Sequence, residues 1–157
     1  MNAIMDAKDA ISAKLAECWV TVDGNRYKLM QLTKFEAKFK INLTKVNILG
    51  RTGAGNKPAG WEGTWSATAH YNQSLFRRML LEYKKTGKMP TFDITVTNED
   101  PGSNVGRQTL ILYNSLIEEG ILAKFDASAE TLDEDLSGKF DDFDMPEEFA
   151  QLAGMVA

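Results

Sequence analysis

Apolar and polar residues alternate with a period of two along two neighbouring stretches of this chain, and with a helical period along a third. From Thr33 onward, Phe35, Ala37, Phe39, Ile41 and Leu43 occupy one parity, while Lys34, Glu36, Lys38, Lys40 and Asn42 occupy the other. After a glycine-rich connection, Trp61, Gly63, Trp65, Ala67, Ala69 and Tyr71 alternate with Glu62, Thr64, Ser66, Thr68 and His70. Side chains of a strand point alternately to opposite faces, so each arm is predicted to be a strand with one face to bury and one to solvate. Past Leu43 the apolar residues move to even positions, at Val46 and Ile48. One inserted residue reverses every later side chain, so a bulge or bend is expected near Thr44–Lys45.

The third stretch sets Leu75, Phe76, Met79, Leu80 and Tyr83 at i, i+1, i+4, i+5 and i+8, one face of an α-helix over about 74–86. Asn72 or Ser74 can cap its start, Lys84 and Lys85 suit its negative end, and Gly87 with Pro90 stops it. Residues 18–22 read as a strand, turned at Asp23-Gly24-Asn25 into a partner over 26–32. Further strands are predicted over 91–98, over 108–116 (apolar on both faces and therefore central), over 121–126, and over 132–143. In the last, Leu132, Leu136, Gly138 and Phe140 share a parity, with Asp133, Asp135 and Asp141 opposite. Residues 1–17 read as an N-terminal arm or helix and 146–157 as a C-terminal tail or short helix. The whole of 1–157 reads as one mainly β (α+β) domain of seven or eight strands with one helix, a sandwich or small barrel.

Composition narrows the classes. At 43% apolar and 25% charged residues the chain is of the globular type, and no apolar run reaches the roughly 20 residues that span a bilayer. Cys18 is the only cysteine, which excludes an internal disulfide and a multi-cysteine metal site. The N-terminus shows no basic-then-apolar leader pattern, so production in a reducing cytoplasm is expected. The net charge of −4 is unevenly spread. Residues 126–148 hold ten acids against Lys139, whereas 26–57 hold eight bases against Glu36. Two solvated faces would account for this, as would self-complementarity between copies. Net acidity argues against a dedicated duplex-binding surface.

The candidate chemistry fails on spacing. In the connection, Gly50 and Gly55 match a phosphate-binding loop, but Asn56 precedes Lys57, Pro58 stands where a hydroxyl is needed, and a strand follows instead of a helix. His70, the only histidine, lies on a polar strand face without a nucleophile motif. The acids Asp133-Glu134-Asp135 lack the pattern of a calcium loop. Trp61, Trp65 and Tyr71 on one face would suit sugar or peptide stacking, the alternative reading of a monomeric binding module; such aromatics are more often core or interface anchors. No catalytic residues and no cofactor are expected.

The run Asn47-Ile48-Leu49-Gly50-Arg51-Thr52-Gly53-Ala54-Gly55-Asn56-Lys57-Pro58-Ala59-Gly60-Trp61-Glu62-Gly63-Thr64 resembles the signature of the tail tube proteins of contractile phages, PBSX-like prophages and phage-tail bacteriocins. The turn at Asp23-Gly24, the helix before Gly87, the strand start Pro90-Thr91-Phe92 and the ending Phe140-Asp141-Asp142-Phe143 fit in the same order, so the resemblance covers about residues 10–145. It implies a β-sandwich or barrel-like subunit that forms hexameric rings stacked into a tube for DNA or effector passage. It also implies a virion tail location after assembly in the host cytoplasm. Expected partners are further copies, a sheath protein, a baseplate or tube initiator and a tape measure protein, with DNA passing unrecognised and no membrane insertion. On this resemblance Lys45, Gly50, Arg51, Gly53, Gly55, Lys57 and Trp61 are expected at subunit interfaces, and Glu62, Asp133, Asp135 and Asp141 at the lumen or the stacking face.

Overall fold

The computed structural model describes residues 4–152, 154 and 155. In chain order it has a 3₁₀ turn (Ala7–Asp9), β1 (Ala16–Val22), β2 (Asn25–Lys28), β3 (Leu32–Val46), β4 (Gly55–His70), α1 (Leu75–Thr86), β5 (Phe92–Glu99), β6 (Arg107–Glu119), β7 (Asp133–Phe140) and β8 (Asp142–Glu147). The protein is thus mostly β with one α-helix among the described residues, and its strand pairings are antiparallel. The chain divides into two compact units: Met1–Met30, Thr91–Asn114 and Asp142–Ala157 form the first, and Gln31–Pro90 and Ser115–Asp141 the second.

In the first unit, β1 lies between β2 and β5, and β6 follows β5. The β1–β2 connection is the two-residue turn expected from the sequence. Asp23 and Gly24 both take positive φ, 49° and 78°, which matches the twist of the flanking strands. Val20, Ile94 and Phe92 are almost fully buried and form the centre of this unit's core. Both terminal segments are tied to the loop after β5. The Asn104 N–H donates to the Lys8 carbonyl, the Ser12 N–H to the Asp100 carboxylate at 2.8 Å, and the Ala150 N–H to the Val105 carbonyl. Between residue 4 and β1 the backbone makes the 3₁₀ turn and a second turn in which the Leu15 N–H donates to the Ser12 carbonyl, and residues 148–152 form no helix. Residues 1–3, 153, 156 and 157 of those two segments lie outside the described residues.

The second unit orders its strands β6-β7-β4-β3. Its core is the odd-numbered face of β4 (Trp65, Ala67, Ala69) with the even-numbered face of β7 (Leu136, Phe140), both buried. Helix α1 buries Phe76 and Met79, while Tyr83, expected on the same face, is exposed. Ser74 holds the N-cap position without a side-chain capping bond, and Gly87 closes the helix at φ 73° by donating to the Tyr83 carbonyl. Two close approaches require glycine. A Cβ on Gly138 would strike the Leu116 carbonyl and the Trp65 ring, and one on Gly63 would strike the Phe140 ring.

Several expectations are corrected. Residues 121–126 are not a strand: β7 already pairs with β4 and β6, and the segment is instead pinned by Lys124 donating to the Asp133 carbonyl at 2.8 Å and by a turn on the Asp126 carboxylate. The predicted strand 132–143 is broken at Asp141 into β7 and β8. Pro146 does not end β8, because the ladder skips it. Met145 and Pro146 together oppose Leu110, a bulge that needs no N–H from the proline. The second long arm starts at Gly55, not at Trp61, so much of the glycine-rich run is strand.

Candidate assembly surface

The β3–β4 ladder runs beyond the β4–β7 ladder. β4 pairs with β7 only from Gly63 to His70, whereas it pairs with β3 from Gly55 to Ala69. From Phe39 to Val46 on β3, and from Gly55 to Glu62 on β4, the two strands have only each other as ladder partners. The apolar face predicted from β3's odd parity is real, but the structure does not bury it: Phe39 is 45% exposed, Ile41 51% and Leu43 62%. Parity reports which face favours burial, while the cover has to come from elsewhere. The two tryptophans of the facing strand divide accordingly. Trp65 is buried and stacks on Phe35, whereas Trp61 is 39% exposed and stacks on Phe39 with ring centroids 4.6 Å apart.

The bend in the arm lies on the partner strand and not at Thr44–Lys45. Ile41 faces Trp61 and Leu43 faces Pro58, so β4 sets two residues, Ala59 and Gly60, against Asn42. Gly60 adopts φ 99°, a conformation other residues rarely take. At the tip, Gly50 takes φ 83° and the Arg51 N–H donates to the Ile48 carbonyl. Leu49 there is fully exposed. Gly55 and Lys57 are ladder residues opposite Val46 and Thr44, and Lys45 opposes Asn56. Gly53 stands in the bend of the tip, where a Cβ would meet nothing within 4 Å. All the predicted interface residues therefore fall on this one arm. From Gly55 onward the backbone is engaged in a ladder, and no helix follows the tip as a phosphate cradle requires.

The opposite face of the same sheet is polar throughout. Lys34, Glu36, Lys38 and Lys40 of β3 meet Thr68, Ser66, Thr64 and Glu62 of β4, and these continue to Asp135, Ser137 and Lys139 of β7. Of the predicted lumen residues, Glu62, Asp133 and Asp135 share this face. Asp141 stands in the break after β7. Asp135 accepts from the Thr68 hydroxyl at 2.9 Å and Asp133 lies 3.1 Å from His70 Nδ1. The face carries Lys34, Lys38, Lys40 and Lys139 as well as Glu36, Glu62, Asp133 and Asp135, so it is charge-balanced rather than acidic.

Charge pairing sorts the basic segment. Lys28 bonds Glu17 at 3.1 Å and holds that carboxyl below its usual range, and the Arg26 guanidinium lies 4.2 Å from the Trp19 ring centre. On the arm, Lys40, Lys45, Arg51 and Lys57 have no ion pair among the described residues. At the acidic end, Glu147 is held by Arg107 at 2.8 Å, while Asp142 and Asp144 accept from the N–H of their own following residues and have no ion pair among the described residues. No cluster of three or more metal-ligating side chains occurs among the described residues.

The model of the family described as "Phage tail tube protein" matches residues 3–147. The chain belongs to that family. A curated relative, the "Phage-like element PBSX protein XkdM" of Bacillus subtilis (strain 168), is 32% identical over 146 residues, covering 93% of this chain and 97% of the relative. Among solved structures, a chain of the PVC extracellular contractile injection system sheath-tube complex in its extended state superposes with a TM-score of 0.68 at 11% identity, covering 88% of this chain and 93% of that one. A chain of the anti-feeding prophage baseplate superposes at 0.67 with 10% identity, covering 87% and 95%. Such low identities speak to the fold alone, and the fold is that of a tail tube subunit. Of the three aromatics weighed for sugar or peptide stacking, Trp65 is buried in the sheet, and Trp61 is stacked on Phe39.

The sequence did not reveal the buried Glu134. Unlike its neighbours Asp133 and Asp135, it is buried, and the structure pairs it with Arg77 of α1. Its even parity, shared with Leu136 and Phe140, was the available signal.

Proposed function

We propose that this tail tube family member is the building block of an inner tube: hexameric rings of the chain, stacked around a lumen, with residues 1–157 acting as one tail tube domain and no catalysis. The observation that carries the reading is the exposed apolar arm of β3 and β4, which has too little cover within one subunit for a stable monomeric surface. A heterologous contact that closes by rotation yields a ring, and the sheet edge at β3 is then no longer open to unwanted pairing. In this reading the interface residues are those of the arm, Lys45, Gly50, Arg51, Gly53, Gly55, Lys57 and Trp61. Glu62, Asp133 and Asp135 face the lumen, Asp141 lies at the stacking face, and ring closure makes the sheets barrel-like. A wall on which lysines are mixed with an equal number of acids gives a passing polyanion no continuous basic track to adhere to.

The sheath, a baseplate initiator and a tape measure protein are the partners this role requires, with assembly in the host cytoplasm and a final place in the tail. Electron microscopy of the purified protein at high concentration tests it. Rings or tubes of uniform bore are expected; a solution of small particles at every concentration, with and without a tube initiator, would sink the reading.

A further inference from the structure

We propose that the β3–β4 arm of one copy docks along β8 of another copy, apolar residues against apolar residues and lysines against aspartates. The inference rests on the tube reading above and specifies which surfaces join.

The two segments have matching patterns. β3 alternates Phe39, Ile41 and Leu43 with Lys40, Asn42 and Thr44, and its cross-strand neighbour Lys57 sits opposite Thr44 on the lysine face. β8 alternates Phe143 and Met145 with Asp142 and Asp144, and every one of its residues is exposed. Each segment thus offers an apolar row on one side and a charged row on the other, with opposite signs. Ladder geometry adds to the match. β3 pairs with β4 alone and β8 with β6 alone among the described pairings, so each has a second backbone edge available to another strand. The arm's cations and the two β8 aspartates have no ion pair among the described residues, so the opposite charges can neutralise each other without breaking an existing pair.

Reciprocal charge reversal tests the pairing between copies. One variant carries Lys40→Glu and Lys57→Glu, the other Asp142→Lys and Asp144→Lys. All four positions are exposed, and circular dichroism with thermal melting verifies that each variant folds; Lys40→Gln with Lys57→Gln provides a milder version. Assembly is followed by light scattering and electron microscopy. Each variant alone sets like charge against like, and its assembly is expected to slow by roughly tenfold or more at low salt. An equimolar mixture presents each arm with a β8 of opposite sign, so mixing restores tubes of alternating composition. The inference is overturned if either variant assembles at the unaltered rate. It is also overturned if the mixture fails while the unaltered protein assembles, or if only a chain carrying all four changes recovers, which would place the contact inside one chain. If the unaltered protein forms neither rings nor tubes, the tube reading itself fails first and this pairing with it.

Discussion

The guanidinium of Arg77 on α1 donates to the carboxylate of Glu134 on β7, and the glutamate side chain is only 3% exposed. Arg77 also reaches the Ile121 carbonyl and lies 4.3 Å from the ring centre of Tyr71, so one side chain ties the helix, the strand and the loop after β6 together. Breaking a buried pair from one side strands a charge, at a cost of about 3–5 kcal/mol. Arg77→Met is therefore expected to lower unfolding stability by that order, read from the denaturant midpoint at constant slope. Arg77→Met combined with Glu134→Leu should recover most of the loss. Equal losses in the single and the double variant would show that the charge is not the cause.

Gly138 admits no side chain. The space a Cβ would need is taken by the Leu116 carbonyl on one side and the Trp65 ring on the other, and a strand backbone cannot step aside as a side chain can. Gly138→Ala should cost about 3 kcal/mol or more. Gly63→Ala, which meets only the edge of the Phe140 ring, should cost less. Thermal unfolding of the two variants in parallel gives the order.

Ile41→Asp and Leu43→Asp separate folding from assembly. Both side chains are more than half exposed in the subunit, so monomer stability should change by less than about 0.5 kcal/mol. Sedimentation should nevertheless show the loss of large species. A drop in melting temperature comparable to that of a core substitution would mean that the arm is covered within the subunit.

Cys18 makes a prediction about pH. Burial pushes its thiol up from 9.0 to about 12. In the unfolded chain the thiol loses its proton near 9, so between roughly pH 9 and 12 the folded state binds more protons and stability falls as pH rises. Cys18→Ala should flatten that alkaline decline. At pH 8 the native thiol should react with alkylating reagents far more slowly than the unfolded one. Equal rates would contradict the burial.

Much of the fold is legible in the sequence because local rules govern it. Asp23-Gly24 demands its turn, the spacing from Leu75 to Leu80 demands α1, and the alternation of β4 selects its buried face. The failures have a common physical origin in non-local supply. The run 121–126 has strand-like residues, but β7 beside it is already paired on both edges with β4 and β6, and the bulge expected from β3's own parity is carried by Gly60 on the opposing strand. The placement of Glu134 depends on an arginine 57 residues away. The candidate surface was legible as a place, since the glycine-rich run marked the arm. Its lack of cover was not, because alternation describes a strand's two faces and says nothing about what lies beyond them.

Gly60 has a consequence for how such a surface can diversify. The bulge in the arm sits at a residue with φ 99° and no side chain, below the tip, while a Cβ at Gly50 or Gly53 would meet nothing within 4 Å. Aim and chemistry are thereby uncoupled. Apart from Gly50, whose φ of 83° favours glycine, residues 47–54 can change the chemistry of the tip without redirecting the arm that carries them. A single substitution at position 60 would misdirect every tip, however well chosen.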